Sequence, residues 1–198
     1  MGQQFIIGIC GKPGSGKDTI GNFIVKSYGF NPITLKKPIE DIVRTLLCVD
    51  DDHLYDRNMR EQELEDWKGW TVRKALQGLG QGIRDIFGEE IWAKNLCKRM
   101  DNFIEPDANF VLTDIRTPAD VRVVRQYAIN KGKIFKLIMV QRPGYGATTV
   151  GGFTNHVLES YDLSPESDVT IVNDRTIHSL HLRVRDYLLG FGLIAKTI

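Results

Sequence analysis

The chain has 198 residues, with 26 Lys or Arg against 25 Asp or Glu and a formal net charge of +1, a balance that excludes a broad basic nucleic-acid footprint and an acidic solvating tail. A hydrophobic content of 42% with 26% charged residues excludes wholesale disorder. Three scattered cysteines (Cys10, Cys48, Cys97) are too few for a disulfide framework or a zinc module, Met1 to Ile9 lacks the pattern of a signal peptide, and no apolar run approaches the ~18 residues of a membrane span. A soluble, cytoplasmic protein with reduced thiols and neither nucleic acid nor membrane as partner is expected.

Phe5 to Cys10 is a short apolar run that reads as a buried parallel strand. Gly11-Lys12-Pro13-Gly14-Ser15 follows it. From Gly16 onward Ile20, Phe23, Ile24 and Tyr28 recur at helical spacing, and Gly29 closes the segment. Ile33 to Leu35 reads as a second short strand. Pro38 suits the first turn of a helix whose apolar face would be Ile39, Ile42, Val43, Leu46 and Leu47. Asp50 to Gly69 mixes both charge signs and is poor in aliphatics, so a mobile surface excursion is expected there. Trp70 to Phe87 has a helical pattern interrupted by Gly78, Gly80 and Gly82, which predicts two helices or one broken near Gly80. Glu89 to Met100 reads as a further helix. Phe110 to Asp114 is a strand ending in an acid, after which Thr117 caps a helix with Pro118 at its first position and Val121, Val124 and Ala128 facing inward. Ile134 to Val140 is another strand, and Pro143 to Asn155, with four glycines and no charge, has the composition of a flexible loop or lid. Val169 to Val172 and Ile177 to Leu189 close the chain as strand and helix. The alternation predicts an α/β fold with a mostly parallel sheet and its working loops at one edge.

Gly11-Lys12-Pro13-Gly14-Ser15-Gly16-Lys17 matches the phosphate-binding pattern G-x-x-x-x-G-K, in the strand–loop–helix context that the pattern requires. Glycines let backbone N–H groups turn around a polyphosphate, the following helix presents its N-terminus to the same anion, and Lys17 supplies a point charge. The next position carries Asp18 where Ser or Thr is usual. It is either a partner of Mg²⁺ or a charge favourable at a helix start, while Thr19 can offer its hydroxyl to an inner phosphate. Asp114 and Arg116 end the strand at 110–114, as a metal- or substrate-orienting acid with a phosphate fork or as a surface turn pair. Arg73, Gln77 and Arg84 fall within about 40° of one another on an unbroken helix, a quarter-turn from a stripe of Val72, Leu76, Leu79 and Ile83. They form a face able to grip a phosphate or a solvated basic face. Arg142, before the glycine-rich loop, is a clamp for a transferring phosphoryl group or a surface charge, and His156 and Glu159 are hinge or lid candidates.

Ser15-Gly16-Lys17-Asp18-Thr19, Trp70-Thr71-Val72-Arg73 with Leu76-Gln77-Gly78-Leu79-Gly80, Trp92, Asp114-Ile115-Arg116 and Arg142-Pro143-Gly144 together resemble the phage-type deoxynucleoside monophosphate kinases, from about Phe5 to the last helix. The resemblance implies a P-loop NTPase three-layer fold, with a mostly parallel five-stranded sheet flanked by helices. It implies one kinase domain over 1–198, with a helical acceptor-binding insertion at 38–105 and a lid-like loop at 143–159. It further implies a homodimer that uses ATP and Mg²⁺ to phosphorylate a deoxynucleoside 5′-monophosphate. Carried onto this chain, Gly11, Pro13, Gly14, Ser15, Gly16, Lys17, Asp18 and Thr19 would hold the ATP phosphates, with Asp18 at the metal. Arg73, Gln77 and Arg84 would serve the acceptor, Asp114 and Arg116 the reaction centre, and Arg142 the lid. Gln81 and Gly82 depart from the family's Thr–acid pair and take no substrate role. Dephospho-coenzyme A and phosphomevalonate kinases share the expected fold. A GTPase switch is disfavoured because Asn130-Lys131-Gly132-Lys133 lacks the final acid of a guanine reader, and a DNA-linked ATPase by charge and size.

Overall fold

The computed structural model of the chain describes residues 3–144 and 161–194. The loop expected over 143–159 lies outside these residues except for Pro143 and Gly144, as do His156 and Glu159. Two compact units form, one from residues 1–34 and 93–198, the other from residues 35–92. In chain order, β1 (Phe5–Cys10), α1 (Lys17–Tyr28) and β2 (Asn31–Pro32) open the first unit. The second holds α2 (Lys37–Leu47), α3 (Asp51–Tyr55), a hairpin of β3 (Glu63–Leu64) and β4 (Trp67–Thr71), and α4 (Val72–Phe87). Then α5 (Ile91–Asp101) leads back to β5 (Phe110–Leu112), α6 (Pro118–Asn130), β6 (Ile134–Gln141), β7 (Val169–Val172) and α7 (Ile177–Gly190).

The first unit is built on a five-stranded sheet of order β2-β5-β1-β6-β7 in which every pairing is parallel. All six residues of the central β1 are buried, as a parallel strand covered on both faces requires. Ile7 and Ile9, with Ile138 and Val140 of β6, form one core with Ile20 and Ile24 of α1 and Leu180, Val184 and Leu188 of α7. α6 packs on β6, with Val121, Val124 and Ala128 buried. Small residues allow two close approaches. A Cβ on Gly21 would stand 2.4 Å from Thr113 Cγ2, and one on Gly8 would stand 2.5 Å from Ile115 Cδ1. Successive strands run from β1 to one side of the sheet through β2 and β5, and to the other side through β6 and β7. The chain therefore leaves β1 and β6 in opposite directions, which puts the topological switch point of the sheet between them at the carboxyl edge.

Local chemistry sets the helix ends. Gly29 closes α1 at φ +68°. At the start of α6, Thr117 Oγ1 accepts from Asp120 N at 3.1 Å, while Asp120 Oδ2 accepts from Thr117 N at 3.0 Å, a reciprocal capping box. The second strand lies at Asn31–Pro32 rather than Ile33–Leu35. It is an edge strand, and its bonds come from Asn31 N to Asn109 O and Ile33 N to Val111 O, on either side of a proline with no donor. Ile33 and Leu35 are nonetheless buried. Their apolar signal marked burial, not pairing.

The second unit corrects three expectations. The segment 50–69 is structured, not a mobile excursion. Asp50 caps α3 by accepting from His53 N at 3.0 Å, and Asp56 accepts from Asn58 N at 2.8 Å and Met59 N at 2.9 Å at a 3₁₀ turn over Met59–Glu61. Leu54 and Leu64 carry the segment into a core with Val43, Val72 and Ala75. Two aliphatics suffice because the acids satisfy the turn backbone around them. Secondly, α4 is unbroken. It starts at Val72, with Thr71 as its cap and Trp70 in β4. Gly80 is buried, and a Cβ there would stand 3.4 Å from Ile39 Cδ1. Its carbonyl accepts from the Trp92 indole at 3.0 Å. Each helical glycine costs about 1 kcal/mol relative to Ala, and close packing of α2 on α4 offsets that cost at Gly80. Thirdly, only Ile39, Val43 and Leu47 of the expected α2 face turn inward, while Ile42 and Leu46 are 40% and 55% exposed. Glu40 is buried instead, paired with Lys36 at 2.9 Å.

Two outcomes test this description. Leu54→Ala is expected to remove about 3 kcal/mol of stability in urea unfolding, the cost of a fully buried leucine; a mobile excursion would lose almost nothing. Burial pushes the Cys10 and Cys97 thiols up to about 12, while Cys48 is exposed. Ellman's reagent at pH 8 should therefore titrate one thiol in the native protein and three after denaturation. Because both thiol pKa values are raised on folding, their contribution is intact below the unfolded value near 9. It is lost as pH climbs from 9 towards 12.

Candidate active site

The turn from β1 into α1 rests on three glycines in the left-handed region, Gly11 (φ +137°), Gly14 (φ +76°) and Gly16 (φ +107°). Space demands glycine as well as dihedral at two of them. A Cβ on Gly11 would lie 2.3 Å from Val140 O, and one on Gly16 would lie 2.7 Å from Asn173 Nδ2. The loop's carbonyls are taken up one after another. Lys17 Nζ donates to Gly11 O at 2.8 Å and to Lys12 O at 2.9 Å, and Ser15 N also donates to Lys12 O at 3.1 Å. Arg142 Nη1 donates to Gly14 O at 3.3 Å, Asn173 Nδ2 to Ser15 O at 2.9 Å and Ile20 N to Gly16 O at 3.1 Å. Gly16 supplies no side-chain cap to α1, so the first-turn N–H groups receive none from it, the arrangement that an anion at a helix N-terminus can use. Ser15 Oγ is buried in this turn with no hydrogen-bond partner among the described residues.

The carboxyl ends of neighbouring strands bring further groups to this edge. Asp18 is exposed on the first turn of α1, where the helix dipole favours a negative charge, and Thr19 beside it is half-buried. Asp114 is buried just beyond β5. Arg116 is exposed, and its backbone N donates to Asp120 Oδ2 at 3.3 Å, so the α6 cap also fixes the residue before it. Arg142 leaves β6 exposed and leans on the loop through Gly14. Asp162, whose carboxyl Ser164 hydrogen bonds hold below the usual range, adds a charge felt by Lys12 and Cys10. The structure thus gathers the loop, Lys17, Asp18, Asp114, Arg116 and Arg142 on one sheet edge of the first unit. Among the described residues no three His, Cys, Asp or Glu side chains cluster to hold a metal, but Asp18 and Asp114 each offer the hard carboxylate oxygens that Mg²⁺ takes together with phosphates.

Arg73, Gln77 and Arg84 lie on α4 of the second unit. Because the helix is continuous, their expected registration holds, but their surroundings differ. Arg73 pairs with Glu61 of the 3₁₀ turn, and Gln77 is half-buried. Arg84 is 4% exposed and donates to the carbonyl of Glu89 and, at 3.3 Å, to its Oε2, which ties the end of α4 to the turn that follows. The buried positions of α4 are Val72, Ala75, Gly80 and Arg84, with Leu76 and Leu79 partly buried, instead of a stripe of aliphatics alone. Two contributors escaped the sequence reading. Glu61 lies in the segment taken for an excursion. Asn173 is the first of four consecutive polar residues after β7, 158 positions from the carbonyl it holds, and no local pattern distinguishes it from the others.

A sequence model of the deoxynucleotide monophosphate kinase family matches residues 52–184, about two thirds of the chain. A protein of Acanthamoeba polyphaga mimivirus, described as "Putative deoxynucleotide monophosphate kinase", is 23% identical over 197 residues, covering 90% of this chain and 93% of its own. Among solved structures, the Mycobacterium tuberculosis APS kinase in complex with AMPPNP and APS superposes with a TM-score of 0.55 at 13% identity, over 96% of this chain and 99% of that one. An unliganded sugar kinase from Janibacter sp. HTCC2649 gives 0.51 at 15% identity, over 99% and 100%. At such identities these structures speak for the fold, which is that of the P-loop kinases. With that fold, a glycine loop that keeps the pattern G-x-x-x-x-G-K and the family match over about two thirds of its length, this chain is a P-loop kinase and belongs to the deoxynucleotide monophosphate kinase family.

Proposed function

We propose that this chain transfers the γ-phosphate of ATP to a 2′-deoxynucleoside 5′-monophosphate and releases ADP and the deoxynucleoside diphosphate. The observation that carries the donor half is the loop itself, whose carbonyls at Gly11, Lys12, Gly14 and Ser15 are engaged elsewhere, so that its N–H groups, apart from that of Ser15, which donates to Lys12 O, would serve a polyphosphate. Membership of the family supports the acceptor half. In this reading the segment 38–105 serves the acceptor.

Phosphoryl transfer asks the protein for alignment and charge more than for covalent chemistry. An acceptor phosphate oxygen attacks Pγ as the bond from Pγ to the bridging oxygen of ADP breaks. No general base is needed, because the second pKa of a phosphate monoester is near 6 and the attacking oxygen is already anionic at neutral pH. Lys17, held at the loop by the Gly11 and Lys12 carbonyls, is placed to neutralise the terminal phosphates. Asp18 and Asp114 would hold Mg²⁺, directly or through water, and the bound ion would offset charge on the β- and γ-oxygens. Arg116 and Arg142 bring cations to the same edge, where charge spreads over the moving group. Arg73, with Gln77 beside it, grips the acceptor phosphate, and its pairing with Glu61 keeps the guanidinium in place. Arg84 takes no substrate role in this reading, because, unlike Arg73, it is buried at the end of α4 against Glu89.

Three measurements test the proposal. With ATP as donor, a panel of ribo- and deoxynucleoside monophosphates, dephospho-coenzyme A and phosphomevalonate should show transfer to the deoxynucleotides. Lys17→Ala should lower that rate by roughly 100-fold with an unchanged melting temperature. A preferred non-nucleotide acceptor would replace the acceptor assignment, and a fully active Lys17→Ala enzyme would remove the donor assignment. Arg73→Lys keeps the charge but loses the planar fork. It should raise KM for the monophosphate about tenfold, the equivalent of ~1.4 kcal/mol of charge-assisted hydrogen bonding, and leave KM for ATP nearly unchanged. A defect confined to ATP would move Arg73 to the donor side.

A further inference from the structure

The peptide between Ser15 and Gly16 is the weak point of the phosphate loop. Gly16 sits at φ +107° with no side chain, so little intrinsic preference opposes rotation of this unit. A trans peptide is planar, and its C=O and N–H point in opposite directions. Whatever holds the Ser15 carbonyl therefore also aims the Gly16 N–H. Rotated the other way, the same unit would turn a carbonyl dipole towards bound phosphate in place of a donor.

The Ser15 carbonyl accepts from Asn173 Nδ2 at 2.9 Å. Asn173 is delivered from a fixed base. Its own backbone N donates to Gln141 O at 2.7 Å, which continues the β6–β7 pairing by one residue. Arg183 of α7 donates to the carbonyl of Val172 and, at 2.9 Å, to Asp174 Oδ1, so the residues on both sides of Asn173 are anchored. The Asn173 amide also fills the space that a side chain at position 16 would need, since a Cβ there would stand 2.7 Å from Nδ2. Gly16 and Asn173 are thus complementary: one gives up its side chain and the other's amide takes the vacated space and fixes the peptide.

We propose that Asn173 is a positioning residue for the triphosphate site, acting through the Ser15 carbonyl to hold the Gly16 N–H towards the donor's phosphates. This rests on the reading of the loop as the ATP site. It assigns Asn173 to the loop rather than to the base or sugar of the nucleotide.

Inorganic tripolyphosphate separates these roles, because it offers phosphates and no nucleoside. Dissociation constants for tripolyphosphate and ATP would be measured by calorimetry on the full chain and on Asn173→Leu, which is close in volume and lacks the donor. Asn173→Ala would serve as a second variant should the leucine disturb folding. The expected result is a parallel rise of roughly tenfold in both constants, the scale of one part-buried hydrogen bond to the loop lost. KM for the acceptor and the melting temperature should stay nearly unchanged, which a merely structural role would not produce. Weaker ATP binding with unaltered tripolyphosphate binding would overturn the proposal and place the side chain on the nucleoside. Unaltered binding of both would overturn it outright. Should the unmodified protein bind neither ligand, the ATP-site reading itself would fall, a result visible before any variant is made.

Discussion

Everything at the candidate active site depends on what the loop's carbonyls are doing. A backbone turn carries as many acceptors as donors, proline apart, so a loop that binds polyphosphate must turn its acceptors away from the anion. In this chain Lys17 takes those of Gly11 and Lys12, Arg142 takes Gly14, Asn173 takes Ser15 and the first turn of α1 takes Gly16. The partners come from α1 and from the ends of β6 and β7. An apparently local motif is therefore held in shape by the edge of a whole sheet.

The sheet can do this because it is parallel. Every strand in the first unit ends at the same edge, so the exits of β1, β5, β6 and β7 meet there whatever their distance in sequence. Close packing keeps them in register. Val140 O stands where a side chain on Gly11 would be, Thr113 where one on Gly21 would be and Ile115 where one on Gly8 would be. Enlarging Gly11 would drive a side chain into the backbone of β6, and enlarging Gly8 or Gly21 would displace the side chains packed on them, so packing and site geometry are one constraint.

The second unit shows burial overruling local preference. Three glycines in α4 argue for a break, yet Ile39 against Gly80 and the Trp92 indole on its carbonyl hold the helix through that point. The charge-rich stretch from Asp50 to Gly69 acquires structure through Leu54, Leu64 and a pair of aspartate caps, Asp50 and Asp56. The same folding presents Glu61 to Arg73. Arg84 shows the converse. Its angular position on α4 matches that of Arg73, but the chain that returns over the helix end buries it against Glu89.

Features that depend on neighbours in sequence were legible from the residues alone. The glycine loop between an apolar run and a helical pattern, the Thr117 cap with Pro118 behind it, and four of the five strands of the parallel sheet, all but the edge strand at Asn31–Pro32, are such features, since turn dihedrals, caps and periodicity are short-range properties. The acid and arginine after β5 and the arginine after β6 could be named for the same reason. The tertiary structure alone decided which side of an apolar helix faces inward, leaving Ile42 and Leu46 outside and Glu40 within, and whether an arginine is presented or consumed. It also decided which residue steadies the loop. Asn173 and Ser15 are 158 positions apart, and nothing near either one announces the other. Such a pair exists only once a parallel sheet has carried two distant strand exits to one edge, because hydrogen-bond geometry is set by proximity in space, and sequence separation enters only through the entropy of closing the chain between them.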